Sequence, residues 1–173
     1  MKKLLLLLCF VFIHQVVYPV YFKHLGMSDG LSQVSVMSIY QDCLGRMWFG
    51  TREGVSIYDG ERMRVYKGWE NLDPKSSINV LLGHECDHLT GNRQGDIFFR
   101  TCDSLVRYDI REEKFCVVSG CKAKTITSAD GDIWTGYDDM VCRYDEKGDS
   151  LQLYAKTNTP GISSLLISGK KIW

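Results

Sequence analysis

Residues 84–88 read His-Glu-Cys-Asp-His, the H-E-x-x-H spacing. On a helix that spacing sets His84 and His88 on one face to hold zinc, with Glu85 as general base. The other candidates for chemistry are aromatic and polar residues in loops: Arg52, Glu53, Trp69, Asn71, Tyr137 and Asp138. Such residues suit ligand contact, although each also reads as an ordinary solvated turn residue. No paired carboxylates recur at matched positions along the chain. The elements that must carry these residues decide between the readings.

Those elements repeat. "DCLGRMWFGTREGVSIYDG" (42–60) aligns without a gap on "NRQGDIFFRTCDSLVRYDI" (92–110) at an offset of 50. Gly45 falls on Gly95, Trp48 on Phe98, Thr51 on Thr101, Tyr58 on Tyr108 and Asp59 on Asp109. "SADGDIWTGYDDMVCRYDE" (128–146) follows the second copy at an offset of 36, with Gly131, Trp134, Tyr144 and Asp145 in the matching places. A fourth copy opens at "SLLISGKKIW", where Trp173 takes the place of Trp48.

Each copy has one internal order. An apolar strand comes first, then Asp42-x-x-Gly45, Asn92-x-x-Gly95 or Ser128-x-x-Gly131, the pattern of a type I turn. A second strand carries the large aromatic, a third ends in Tyr-Asp, and a short outer strand closes the unit (63–66, 114–118, 151–154). Four short antiparallel strands at a period near 40 describe a β-propeller blade. The expected fold is all-β: an incomplete propeller over 21–173, with blades at 31–68, 78–118 and 123–154 and a stub at 162–173. A lone sheet cannot bury both faces, so blades stack. Trp48, Phe98 and Trp134 are expected to fill the wedges between blades, and Tyr58, Tyr108 and Tyr144 to form a second layer.

This register places residues 84–88 on the approach to, and start of, the innermost strand of the second blade. Gly83 precedes the motif and "TGN" (90–92) follows it, leaving too little room for a helix of several turns. No histidine follows His88 to serve as a third ligand. The match is therefore read as chance: a zinc metallopeptidase is the remote alternative, and no metal or cofactor is expected.

Composition agrees. Lys+Arg and Asp+Glu are 21 each, so the chain lacks the basic footprint of a nucleic-acid binder. No Ala occurs before position 123 while Tyr, Val, Ile, Phe and Trp are plentiful, which favours strands. Lys2-Lys3 followed by an apolar run from Leu4 to Ile13 reads as a secretory signal peptide over 1–20, or a signal anchor if uncleaved. That run is short for a spanning helix. The six cysteines beyond it show no C-x-x-C pair and are read as turn or semi-buried residues.

The stretch 24–68, through "DGLSQ" (29–33), "IYQDCLGRMWFGT" (39–51), "EGVSIYDG" (53–60) and "RVY" (64–66), resembles the two-component regulator propeller repeat. The resemblance is strongest in the first blade; in the second, Phe98, Arg100 and Ser104 replace the repeat's Trp and two Gly. It implies a periplasmic sensor region of a hybrid two-component histidine kinase that detects oligosaccharides and switches on genes for their use. Arg52, Glu53, Trp69, Asn71, Tyr137 and Asp138 then become candidate sugar contacts. Kinase activity is not expected of this chain, which carries no kinase motif; it would belong to further domains of a longer product. Export to the periplasm, or to the periplasmic face of the inner membrane, is expected. Three blades and a stub do not close a ring, so the alternatives are the head of a longer receptor and a truncated scaffold or interaction fragment. The expected partners are an oligosaccharide, the remaining blades or a second copy. "VYFKHL" (20–25) resembles an outermost strand that a full ring would use to complete its last blade.

Overall fold

The structure, a computed structural model, describes residues 21–67, 84–118, 120, 122–158, 160–169 and 171–173. Three four-stranded antiparallel sheets follow one another along the chain. The first holds β1 (Val36–Gln41), β2 (Met47–Thr51), β3 (Gly54–Tyr58) and β4 (Met63–Tyr66). The second holds β5 (Cys86–Gly91), β6 (Ile97–Thr101), β7 (Ser104–Asp109) and β8 (Lys114–Val117). The third holds β9 (Thr125–Ala129), β10 (Asp132–Tyr137), β11 (Met140–Asp145) and β12 (Ser150–Lys156). A two-stranded piece, β13 (Ile167–Ser168) with β14 (Lys171–Ile172), comes last. β1 lies against β5, β5 against β9 and β9 against β13, so the first strand of each sheet faces its counterparts. This is a partial β-propeller. The only helical element among the described residues is a 3-10 turn at Met27–Asp29.

Turn chemistry sets the register of the first two blades. The Gly45 N–H donates to the Asp42 carbonyl at 3.0 Å and Gly95 N–H to Asn92 at 3.2 Å. The side-chain oxygens of Asp42 and Asn92 accept the amides two and four residues on. Gly45 (φ 81°) and Gly95 (φ 91°) supply the left-handed backbone that ends each turn. The third turn differs from the expected Ser128-x-x-Gly131. Ser128 lies within β9 opposite Ile133, and its hydroxyl donates to the Gly91 carbonyl of the neighbouring blade at 3.0 Å. The reversal is made by Asp130 (φ 53°) and Gly131 (φ 80°) alone, between paired Ala129 and Asp132. Two positive φ values in a two-residue loop match the twist of the flanking strands, and Asp-Gly is the pair that adopts them readily. The outer strand of that blade also runs on to Lys156, past the expected end at 154. Residues 21–26 form no strand; Lys23 instead donates to the Tyr58 hydroxyl and lies 4.7 Å from its ring centre.

The core lies between blades. Trp48, Val55 and Ile57 pack with Cys86, Leu89, Ile97, Phe99, Val106 and Tyr108 of the next blade. Phe98 and Leu105 pack likewise with Ile126, Ile133, Cys142, Tyr144 and Leu151. Each wedge holds an edge-to-face pair, Trp48 with Tyr108 at 4.8 Å and Phe98 with Tyr144 at 4.9 Å. Such pairs add about 0.5–1.5 kcal/mol beyond the area they bury. The Asp after each tyrosine opens the following turn: Asp59 accepts the amides of Glu61 and Arg62, and Asp109 those of Arg111 and Glu112. The outer side of the first blade is covered by Leu31 and Ser32, the latter bonded to Thr51 and Ser56.

Candidate functional site

The histidine motif sits on extended chain. His84 and Glu85 are exposed, Cys86 starts β5, and His88 (φ 52°) occupies a bulge where the pairing slips between Asp87 and Thr90. Neither histidine lies on a helix face, so the geometry that gives H-E-x-x-H its zinc chemistry is not formed. Among the described residues no three His, Cys, Asp or Glu side chains gather closely enough for a metal ion. Cys86 is fully buried, and its burial pushes the thiol up to about 12.

The loop candidates separate. Trp69 and Asn71 lie outside the described residues. Arg52 and Glu53 form the exposed reversal between β2 and β3, where Glu53 accepts from Lys67 Nζ at 3.3 Å. Tyr137 ends β10 and Asp138 begins the turn to β11. These two belong to a cleft of about 360 Å³ that they share with Arg100, Asp103, Lys124 and Gly161. Arg52 and Glu53 do not line it.

Two hairpin ends build this cleft. Cys102 (φ 47°) and Asp103 (φ 60°) make the tight reversal from β6 to β7, and Asp103 lines the cleft. Asp138 (φ 54°) does the same between β10 and β11, and its carbonyl accepts the amides of Gly161 and Ile162, each at 3.0 Å. Those bonds fix the third side. Arg100 is held by Asp87, its Nε donating to Oδ1 at 2.8 Å and its Nη2 to Oδ2, and its Nη1 lies 3.6 Å from Asp103. The hydrogen bonds to Asp87 raise its already high pKa, so the guanidinium is a fixed, permanently charged plate. Lys122 Nζ lies 5.5 Å from the Tyr137 ring centre. The cleft thus combines one aromatic face with cationic donors and carboxylate acceptors.

Arg100, Asp103 and Lys124 were not among the candidates read from sequence. A signal existed for Arg100, which stands where the first and third blades have Gly50 and Gly136. A Cβ on Gly50 would lie 2.4 Å from the Cys86 carbonyl oxygen, and one on Gly136 would lie 2.6 Å from an Ile162 methyl carbon. A long side chain where both neighbours need none marks a place where the interface opens.

No protein-family model matches the chain. Histidine kinase P4 of Formosa agariphila is 39% identical over 59 residues, which are 34% of this chain and 4% of that protein. The extracellular domain of a hybrid two-component system from B. thetaiotaomicron superposes with a TM-score of 0.63 at 26% identity, over 79% of this chain and 20% of its own. This chain is similar to the extracellular domain of a two-component system. A further extracellular domain from B. thetaiotaomicron has a TM-score of 0.65 at 17% identity, over 86% of this chain and 20% of its own, and shares the fold. The chain therefore spans about a fifth of these structural relatives and 4% of the curated one. No helix among the described residues is long and apolar enough to cross a membrane.

Proposed function

We propose that this chain is the ligand-sensing propeller segment of a two-component signal-transduction receptor, and that its cleft takes an oligosaccharide. The observation that carries this reading is the Tyr137 face set among Arg100, Asp103, Lys124 and Asp138 in one cleft. A sugar ring lays its C–H face on an aromatic ring while its hydroxyls both donate and accept, so it uses both halves of that lining. The likeness to extracellular domains and the apolar leader at 1–20 support a site of action in the periplasm. In this reading the chain binds and transmits, and phosphoryl chemistry belongs to a separate kinase domain of a receptor.

Titration calorimetry of the full chain against a panel of neutral and acidic di- to hexasaccharides tests the assignment. The expected result is saturable binding to a subset, weakened at least about tenfold, or about 1.4 kcal/mol, by Tyr137→Ala. Absence of saturable heat across the panel, or binding indifferent to Tyr137→Ala, overturns it.

A further inference from the structure

The bulge in β5 stands one residue later than the bulge in β1. In the first blade Val36 pairs with Thr51 and Ser38 with Gly50, so Met37 is the residue pushed out of the ladder. The offset of 50 would carry that pattern to Cys86 with Thr101 and His88 with Arg100. Cys86 does pair with Thr101, but Arg100 stands opposite Asp87, and pairing resumes at Thr90 with Phe98. The slip falls on His88, whose φ of 52° is left-handed, whereas no residue of β1 has a positive φ. Such backbone is strained for a residue with a side chain. What the shift gains is the pair, because Asp87 and not His88 now faces Arg100. Bulges beside binding sites re-aim side chains in this way.

The pair fixes an arginine in the wall of the cleft. Asp87 takes Nε and Nη2 of Arg100, a two-pronged grip that sets the plane of the guanidinium. Nη1 takes no part in that grip and lies 3.6 Å from Asp103 Oδ1, too far for a hydrogen bond. Lys124 lines the same cleft, and Lys122 stands over the ring of Tyr137. Among the described residues neither lysine forms an ion pair, and Asp138 forms none either. Two unpaired ammonium groups and a guanidinium edge thus outnumber the one unpaired carboxylate around a single aromatic ring.

We propose that the cleft selects an acidic sugar. Its ring stacks on Tyr137 and carries a carboxylate or sulfate ester that Arg100 Nη1 and Lys124 receive, with Asp87 as the positioning residue that aims the guanidinium. This rests on the oligosaccharide reading of the same cleft and narrows it. Asp103 and Asp138 accept from hydroxyls of the ring. A guanidinium already held in place meets an oxyanion with little further ordering, so its charge converts into preference. The matching positions of the first and third blades, Gly50 and Gly136, offer no such group.

The test is calorimetry of the full chain with disaccharides of glucose, galactose and mannose, each as the neutral parent, the terminal uronic acid and the terminal sulfate ester. In at least one series an acidic form should bind at least about tenfold more tightly than its parent. The uronic acid and sulfate arms show which oxyanion fits. Asp87→Ser with Arg100→Gly copies the Ser38–Gly50 pair of the first blade, leaves no charge unpaired, and should bring the acidic form down to its parent. Lys124→Gln changes an exposed side chain, should leave the unfolding midpoint in place, and should cut the preference at least about threefold. Equal affinity for acid and parent overturns the proposal and leaves the oligosaccharide reading standing, since the sugar still binds. Binding of none of them overturns it as well, and the titrations of longer saccharides with Tyr137→Ala then decide that reading on their own. A preference that survives the double variant also overturns it. So does inorganic sulfate bound as tightly as the sugar acids and regardless of Tyr137→Ala.

Discussion

Replacing Trp48 by Phe and Asp42 by Asn, singly and together, tests how the first wedge is held. The Asp42 side chain is wholly buried and accepts four bonds. Its Oδ1 takes the amides of Leu44 (3.0 Å) and Arg46 (2.9 Å), and its Oδ2 takes Arg46 Nε (2.7 Å) and Trp48 Nε1 (2.8 Å). Burial alone would raise this carboxyl, but the donors from Trp48 and Arg46 overrule it and hold it below the usual range. The second blade meets the same demand without charge. Asn92 accepts the two backbone amides, and Phe98 has no ring donor. Trp48→Phe should therefore cost about 1.5–3 kcal/mol for the lost bond to a charged acceptor, and about 1 kcal/mol more for the vacated volume. Asp42→Asn should cost about 3 kcal/mol, because one half of its amide must face Arg46 and Trp48 donor to donor. The double variant loses the indole–carboxylate bond once, so the cycle should return a coupling of about 1.5–3 kcal/mol. Urea unfolding of the four proteins, followed by far-UV circular dichroism, measures it. Additivity within about 0.5 kcal/mol would show that the indole N–H contributes nothing through Asp42 and would refute the reasoning.

Three further outcomes are expected. Because the fold lowers the pKa of Asp42, and of Asp59 and Asp109, their contribution is complete above the ordinary carboxylate value of about 3.9 and is lost as pH falls through the folded values. Midpoints measured between about pH 6 and about pH 2 should fall on the acid side, and Asp42→Asn should flatten that fall. Gly50→Ala pushes a Cβ to 2.4 Å from the Cys86 carbonyl oxygen and should cost about 1–3 kcal/mol, whereas Gly26→Ala, whose nearest neighbour is at 3.5 Å, should be close to neutral by chemical denaturation. In the native chain at mildly alkaline pH, mass mapping of alkylated thiols should find exposed Cys43 and Cys102 modified, and buried Cys86 protected until urea unfolds the protein.

Spacing carried the strands further than it carried the contacts. The offset of 50 maps β1 on β5 and β2 on β6 residue for residue, because the turns between them share one length and one Asx geometry. A gapless alignment then misled at Ser128-x-x-Gly131, where Asp-Gly makes a shorter reversal that ends on the same glycine. The Asp-Gly pair was visible, but the repeat's habit outweighed it. Partners between blades stayed hidden for another reason. A period of two tells which face Arg107 uses but not that Asp149, 42 residues on, meets it there. The cleft shows the same limit: Tyr137 and Asp138 stood out by type, while Arg100 read only as a departure from the repeat's glycine and nothing in the pattern pointed to Lys124. Their convergence depends on two hairpins from different blades, which no local pattern encodes.

The split of each wedge between two blades bears on how such a chain grows. The aromatic and arginine (Trp48 and Arg46, then Phe98 and Arg107) come from one repeat and the tyrosine and acid (Tyr108 and Glu113, then Tyr144 and Asp149) from the next, so every joint is written across a repeat boundary. A gene duplication that placed a second copy of 92–127 directly after the first would set Phe98 against the copied Tyr108, and Arg107 against the copied Glu113. Both junctions would already match. Repeat number can therefore change by unequal recombination without any joint being redesigned, whereas a point change in one repeat alters the fit of its neighbour. Selection on such a gene acts on adjacent pairs of repeats and not on single sheets.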